Sequence, residues 1–122
     1  MTIRNYQDLI AWKKGMTLAV SVYRVSTILP REERFGLMAQ MRRAAVSIPS
    51  NIAEGQGRRT DGEFLNQLSV AHGSIRELET HLQLCKLLGM LKEADVRPVL
   101  EEASEVGRLV TGLSNSIAGD RS

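Results

Sequence analysis

The residues of this sequence whose types and spacing could do chemistry are basic. Three adjacent pairs of Lys or Arg occur in the first half of the chain. Clustered cationic side chains neutralise phosphates and release the counterions that surround a nucleic acid. The pairs therefore predict a nucleic-acid-binding surface, and an alternative remains open in which they form a solvated face and pair with acidic residues of later helices. The six residues are Lys13, Lys14, Arg42, Arg43, Arg58 and Arg59.

Charge is distributed unevenly along the chain. Residues 1–60 carry ten basic and four acidic side chains, a net charge of +6, whereas residues 61–122 carry six basic and ten acidic ones, a net charge of −4. This asymmetry predicts a polarised surface that could serve an anionic partner or another copy of the chain. Only five residues are aromatic, so few side chains can stack on unpaired bases. Contact with the backbone of duplex DNA or structured RNA is the predicted mode of binding.

Residues that commonly act as nucleophiles, bases or metal ligands do not form a set. His72 and His81 are nine positions apart, which places them on opposite faces of a helix. Glu77, His81 and Cys85 are spaced by four, but Cys85 falls in an apolar seam, where a free cysteine is an ordinary core residue. A structural zinc site usually needs four ligands. The sequence therefore predicts no catalytic residue, no metal, no cofactor and no enzymatic activity.

The glycines of residues 55–60 raise the question of a phosphate-binding loop. Gly55 and Gly57 precede Arg58 and Arg59, just before a predicted helix. The segment follows a helix rather than a strand, however, and it lacks the third glycine of the dinucleotide fingerprint. We interpret it as a turn between helices.

The elements that position these residues are helices, because apolar residues recur at steps of three and four almost throughout. Pro30 and Gly89 mark the ends of the first and third helices, and Thr60 with Glu63 forms a capping box before the third. The predicted helices span about 6–29, 35–57, 61–88 and 93–118. The predicted fold is all-α, a single domain over residues 1–122 that forms an up-down-up-down antiparallel four-helix bundle.

The first predicted helix is apolar on more than one face. A helix of a lone bundle needs only one apolar stripe, so the second indicates either a wide core contact or a subunit interface, and the sequence leaves both open. One stripe consists of Leu9, Trp12, Met16, Ala19 and Tyr23. The other consists of Leu18, Val22, Val25 and Leu29.

A proline interrupts the second predicted helix. Pro49 has no N–H to donate to the carbonyl of Ala45 and clashes with that group, so we expect a kink. Asn51 could satisfy carbonyls freed by the proline, and Glu54 could pair with Arg58, four residues on. We interpret Pro49, Asn51, Glu54 and Gly55 as a structural motif rather than a ligand site.

Two stretches of the sequence carry a resemblance to a known family. They are RRAAVSIPSNIAEG at 42–55, which contains this structural motif, and AHGSIRELETHL at 71–82. With Leu9-Ile10-Ala11-Trp12 and Phe64-Leu65, they closely resemble the bacterial four-helix-bundle family first noticed in intervening sequences of large-subunit ribosomal RNA genes. The resemblance covers about residues 6–117.

That resemblance implies an assembly and a partner. It implies a homopentameric, barrel-like ring, related to the accessory protein of diversity-generating retroelements, a basic pentamer that binds nucleic acid and a reverse transcriptase. The first functional hypothesis is therefore an oligomeric accessory protein that binds RNA or DNA. The second is a protein-binding structural adaptor ring without affinity for nucleic acid.

The sequence also predicts where the protein works. The N-terminus has no long apolar run of the kind found in secretory signals, and no stretch approaches the roughly 18 apolar residues of a membrane span. The single cysteine allows no intrachain disulfide. We expect a cytoplasmic bacterial protein without a membrane partner.

Overall fold

The computed structural model describes residues 5–120, and within that range the chain forms helices and no strand. A 3-10 turn at Tyr6–Asp8 precedes the first helix, and another at Arg31–Glu33 precedes the second. The all-α fold and its four helices are therefore as predicted from the sequence. The helices are α1 (Ile10–Ser26), α2 (Leu37–Gln56), α3 (Asp61–Leu87) and α4 (Glu93–Asp120).

The first two helices are shorter than the sequence predicted. Leu9 is extended, with φ −75° and ψ 124°, so α1 begins at Ile10 rather than at about residue 6. After Ser26 the backbone tightens into i→i+3 bonds up to Leu29, because a residue that precedes proline disfavours the helical region. Gly36, with φ −107° and ψ −115°, sets the start of α2.

Each helix packs against two neighbours, in the order α1, α2, α3, α4 and back to α1. Contacts between α2 and α3 run in opposite directions along the two helices, from Met41 beside Cys85 to Gly55 beside Phe64. This direction is the one that the predicted up-down-up-down order requires. The four helices form a bundle around an aliphatic core. Within residues 5–120, no helix has the length and apolar character needed to cross a membrane.

Burial separates the two apolar stripes of α1. Leu18, Val22 and the rest of their stripe are buried in the core, whereas Met16 and Tyr23 from the other stripe are 43% and 44% exposed. The apolar seam of α3, to which Cys85 belongs, is buried along its whole length. It consists of Phe64, Leu68, Ala71, Ile75, Leu78, Leu82 and Cys85. The stripe that contains Met16 and Tyr23 is therefore only partly covered by the core of the chain.

The ends of α3 carry the predicted caps, with one difference. Thr60 Oγ1 accepts a hydrogen bond from the Glu63 N–H at 3.1 Å, but the Glu63 carboxylate accepts from the Thr60 hydroxyl at 3.0 Å instead of from its backbone. Gly89 has φ +76° and follows the helix. Its N–H donates to the Lys86 carbonyl at 3.0 Å, and the Met90 N–H donates to the Cys85 carbonyl at 2.9 Å. This pair of bonds is a Schellman motif.

The proline motif of α2 differs from its predicted contacts. Asn51 Nδ2 donates to the carbonyl and the hydroxyl of Ser47, at 2.8 and 2.9 Å. The prediction that Asn51 serves the carbonyl freed at Ala45 was therefore wrong, because its side chain reaches back only one turn. Glu54 and Arg58 form no ion pair within the described part of the chain, so that prediction was wrong too. The helix continues through Pro49, and the kink stays a prediction.

Gly55 brings α2 and α3 close together. A Cβ at this position would lie 2.8 Å from Phe64 Cδ1 and 2.9 Å from Gln67 Cβ, which is closer than atoms approach without a shift. Gln67 Cβ is attached directly to the α3 backbone, so relief of the contact requires the helix to move. Glycine is therefore required here for packing, although it lowers helix propensity.

The variant Gly55→Ala should lower the free energy of unfolding by about 1–3 kcal/mol, because the overpacking outweighs a gain in helix propensity of about 1 kcal/mol. Gly73→Ala is the matched control, since a Cβ there meets nothing within 4 Å, and it should stabilise by about 0.5–1 kcal/mol. Urea titrations at one protein concentration measure both effects. Equal stability of Gly55→Ala and the parent would contradict the packing argument.

Candidate nucleic-acid interface

The structure divides the six predicted basic residues into two groups. Arg42 and Arg43 lie in the first half of α2, and Arg58 and Arg59 lie in the connection to α3. A helical rise of 1.5 Å per residue puts about 21 Å between Arg42 and Gln56, the last residue of α2 before this connection. Lys13 and Lys14 lie level with the second half of α2, because the neighbouring Gly15 packs beside Pro49. The six residues do not form one compact site.

Two of the six pair with acidic residues of the later helices, as the alternative interpretation expected. Lys14 Nζ is 3.3 Å from Glu105 Oε1 on α4. Arg43 pairs with Glu77 on α3 and also donates to Gln40 Oε1 at 3.1 and 2.9 Å. These exposed pairs are individually weak, but they reduce the local positive charge at Lys14 and Arg43.

Arg42 is held in place without a carboxylate. Its Nε donates to Ser26 Oγ at 2.8 Å, and its guanidinium lies 4.6 Å from the centroid of the Tyr23 ring. Ser26 is buried, and its hydroxyl donates to the Tyr23 carbonyl at 2.9 Å. Arg42 is thus positioned by neutral groups, which leaves its charge uncompensated.

The remaining three candidates are exposed cations. Lys13, Arg58 and Arg59 form no ion pair with any side chain that the structure describes. Asp61 and Glu63 follow Arg59 closely in sequence, but the Glu63 carboxylate is engaged by Thr60. Side chains of this kind are free to reach phosphates.

The structure contains a basic cavity that was not predicted from the sequence. It has a volume of about 600 Å³ and lies where the connection from α1 meets the start of α2. Arg31, Arg34 and Arg42 line it together with Phe35 and Met38. The signal in the sequence was a pair of arginines three positions apart, directly before an aromatic residue. The bundle brings Arg42 to them from the second turn of α2.

The side chains considered for metal binding or nucleophilic chemistry have structural contacts. Within residues 5–120 no three His, Cys, Asp or Glu residues form a group that could hold a metal ion. Cys85 is buried, with Sγ 3.8 Å from Met41 Sδ. Burial and the nearby charge of Glu33 raise the pKa of its thiol, so the reactive thiolate is disfavoured. His72 Nε2 lies 2.9 Å from Thr111 Oγ1.

His81 lies on α3 beside the Arg43–Glu77 ion pair. Its side chain is only 15% exposed, Nε2 lies 3.8 Å from Glu77 Oε2, and buried Nδ1 has no hydrogen-bond partner among the residues that the structure describes. Burial lowers the pKa of the imidazole below its ordinary value of 6.5, with Glu77 opposing and Arg43 adding to the shift. The folded protein therefore favours the neutral ring.

Stability should depend on pH through His81. The folded state binds the proton less tightly than the unfolded chain, so the free energy of unfolding should fall as the pH is lowered through 6.5 and level off below the folded-state pKa. Urea midpoints between about pH 8 and pH 5 measure this dependence. His81→Leu should show a smaller fall than the parent over the same range. Identical curves would contradict the role of His81.

Comparisons with known proteins identify the family. A family model described as 23S rRNA-intervening sequence protein matches residues 7–112. No protein in a curated set matches. A crystal structure described as a protein with unknown function from the S23 ribosomal protein family of Bacteroides thetaiotaomicron has the same fold, with a TM-score of 0.80 and 21% identity. The match covers 86% of this chain and 98% of that one. The chain thus belongs to the 23S rRNA-intervening sequence protein family.

Proposed function

We propose that this chain is a non-enzymatic subunit of a homo-oligomer, a pentamer by its family resemblance, that binds RNA or DNA through basic side chains. The observation that carries the proposal is an excess of uncompensated cations. Of the nine Lys and Arg residues between positions 5 and 60, only Lys14 and Arg43 form ion pairs with described side chains. The alternative of a mutually neutralised surface accounts for these two and leaves seven that pair with no described carboxylate and could contact phosphates.

Self-association is supported by an exposed apolar face of α1. Met16 and Val20 lie one turn apart on this face and are 43% and 48% exposed. A row of large apolar side chains on one exposed face is typical of an interaction surface. A second copy of the chain would cover it, and closed symmetry would then repeat each cationic group around the assembly. Weak contacts repeated in this way bind with high avidity.

Binding of the parent protein to duplex DNA and to a hairpin RNA tests the proposal. Fluorescence anisotropy should detect both complexes at low salt, with little preference for sequence, because phosphate contacts carry no sequence information. If six to ten phosphates are contacted, affinity should fall by about 10³–10⁵ between about 50 and 200 mM salt. If the protein binds neither the duplex DNA nor the hairpin RNA at low salt, the proposal is wrong.

The adaptor function remains a second candidate because α3 also exposes apolar side chains. Leu84, Leu87 and Leu88 are 41%, 81% and 56% exposed near the end of this helix. Such a cluster could bind a protein partner. If neither nucleic-acid probe binds, this surface is the one to pursue.

A further inference from the structure

We propose that the cavity between the end of α1 and the start of α2 binds an unpaired nucleotide of single-stranded nucleic acid. Phe35 stacks on the base, and Arg31, Arg34 and Arg42 hold the adjoining phosphates. This inference rests on the proposed function and adds a mode of binding to it. The scarcity of aromatic residues had indicated backbone contact alone, but one well-placed ring is enough for a stacking platform.

Phe35 is the ring available for stacking. It is 87% exposed, the largest exposed fraction among the large hydrophobic side chains that the structure describes. The Arg34 guanidinium lies 5.4 Å from its centroid, so the ring already accepts a flat cation on one face. Phe64 is buried, and the Tyr23 ring is covered by Arg42. Stacking on a base would remove the apolar surface of Phe35 from water.

The charge at the cavity suits a phosphate. Within residues 5–120 no carboxylate pairs with Arg31, Arg34 or Arg42. Glu32 and Glu33 lie between the first two arginines in sequence, but neither lines the cavity. Glu33 Oε1 instead accepts a hydrogen bond from the Leu37 N–H at 3.1 Å, at the start of α2. Three cations therefore face the space without a built-in counterion.

The size and lining of the cavity favour a nucleotide over a simple anion. Its volume of about 600 Å³ falls in the range of about 300–1,000 Å³ that is usual for small-molecule sites. Leu29, Met38 and Ala39 supply apolar lining in addition to the arginines. A cavity lined by both apolar side chains and guanidinium groups matches a planar base joined to a phosphate. Arg42, fixed by Ser26 and Tyr23, provides the preorganised contact.

The test compares a fluorescein-labelled single-stranded RNA of about 12 nucleotides with an oligonucleotide of equal length that keeps the phosphates but lacks the bases. The parent protein should bind the intact strand more tightly. Phe35→Leu should lower that affinity about 10-fold or more and leave binding of the abasic strand and of duplex DNA unchanged. Leu87→Ala, at a side chain that is 81% exposed outside the cavity, should change none of the three affinities.

The outcomes separate this inference from the proposed function. If the parent binds duplex DNA but Phe35→Leu binds the intact strand as the parent does, the inference is wrong and the proposed function stands. If the parent binds no probe, both are wrong. Light scattering on Phe35→Leu provides a second check, because a decrease in mass would show that Phe35 contacts another copy of the chain, and this would overturn the inference.

Discussion

Binding of duplex DNA should be abolished when Arg42, Arg43, Arg58 and Arg59 are all replaced by glutamine. These residues supply four of the basic side chains of the chain, and the proposed ring would multiply their loss by the number of copies in contact with the duplex. Each lost phosphate contact should reduce the slope of log affinity against log salt by about 0.9. Anisotropy titrations at several salt concentrations measure both the affinity and this slope.

The contacts of Arg42 and Arg43 require a second variant. Both side chains make hydrogen bonds within the bundle, with Ser26 and Gln40 respectively, so their replacement also changes packing. Arg58→Gln with Arg59→Gln disturbs no described contact of these side chains, and it should weaken binding in the same direction by a smaller factor. Thermal melting and light scattering should show that this double variant retains the fold and the mass of the parent.

A charge-matched control distinguishes a site from general attraction. The same loss of four positive charges can be made in the acidic half of the chain, where it should affect binding much less. If both quadruple variants lose binding equally, net charge alone explains affinity and the assignment of these arginines is wrong. The control variant combines Arg76→Gln, Lys92→Gln, Arg97→Gln and Arg108→Gln.

The bundle could be predicted from the sequence because its signal is local. Apolar steps of three and four place one face of each helix in the core. All seven residues that follow these steps along α3 are buried, namely Phe64, Leu68, Ala71, Ile75, Leu78, Leu82 and Cys85. Helix ends were less certain because they depend on backbone detail. Pro30 predicts that the first helix ends at about residue 29. The α-helix ends earlier, at Ser26, because the residues before the proline form i→i+3 bonds instead.

The site was harder to predict because its contacts are tertiary. Lys14 meets Glu105, and Arg43 meets Glu77, only through the register of packed helices. No pattern along the chain reveals which arginine finds a carboxylate. The cavity has the same origin, because Arg31 and Arg34 reach Arg42 through the turn between α1 and α2. The sequence places an excess of positive charge in the first half of the chain, but it does not reveal which of these cations pair with carboxylates.

Introducing carboxylates into the exposed apolar face of α1 should dissociate the proposed assembly. Met16→Glu with Val20→Glu places two negative charges four residues apart on one face of the helix. Both side chains are nearly half exposed in the isolated subunit, so the fold should tolerate them. Burial of unpaired carboxylates in an interface is strongly unfavourable, and the mass by light scattering should fall from that of a pentamer to that of a monomer.

A matched control tests whether α1 is the surface involved. Leu84→Glu with Leu87→Glu adds the same charge to exposed apolar residues of one face of α3, and it should leave the mass unchanged. A circular dichroism spectrum with the helix content of the parent is required of both variants. If the parent is itself a monomer at micromolar concentration, self-assembly is wrong. If only the α3 variant dissociates, the subunits meet through α3, and the exposed apolar face of α1 is available to a different partner.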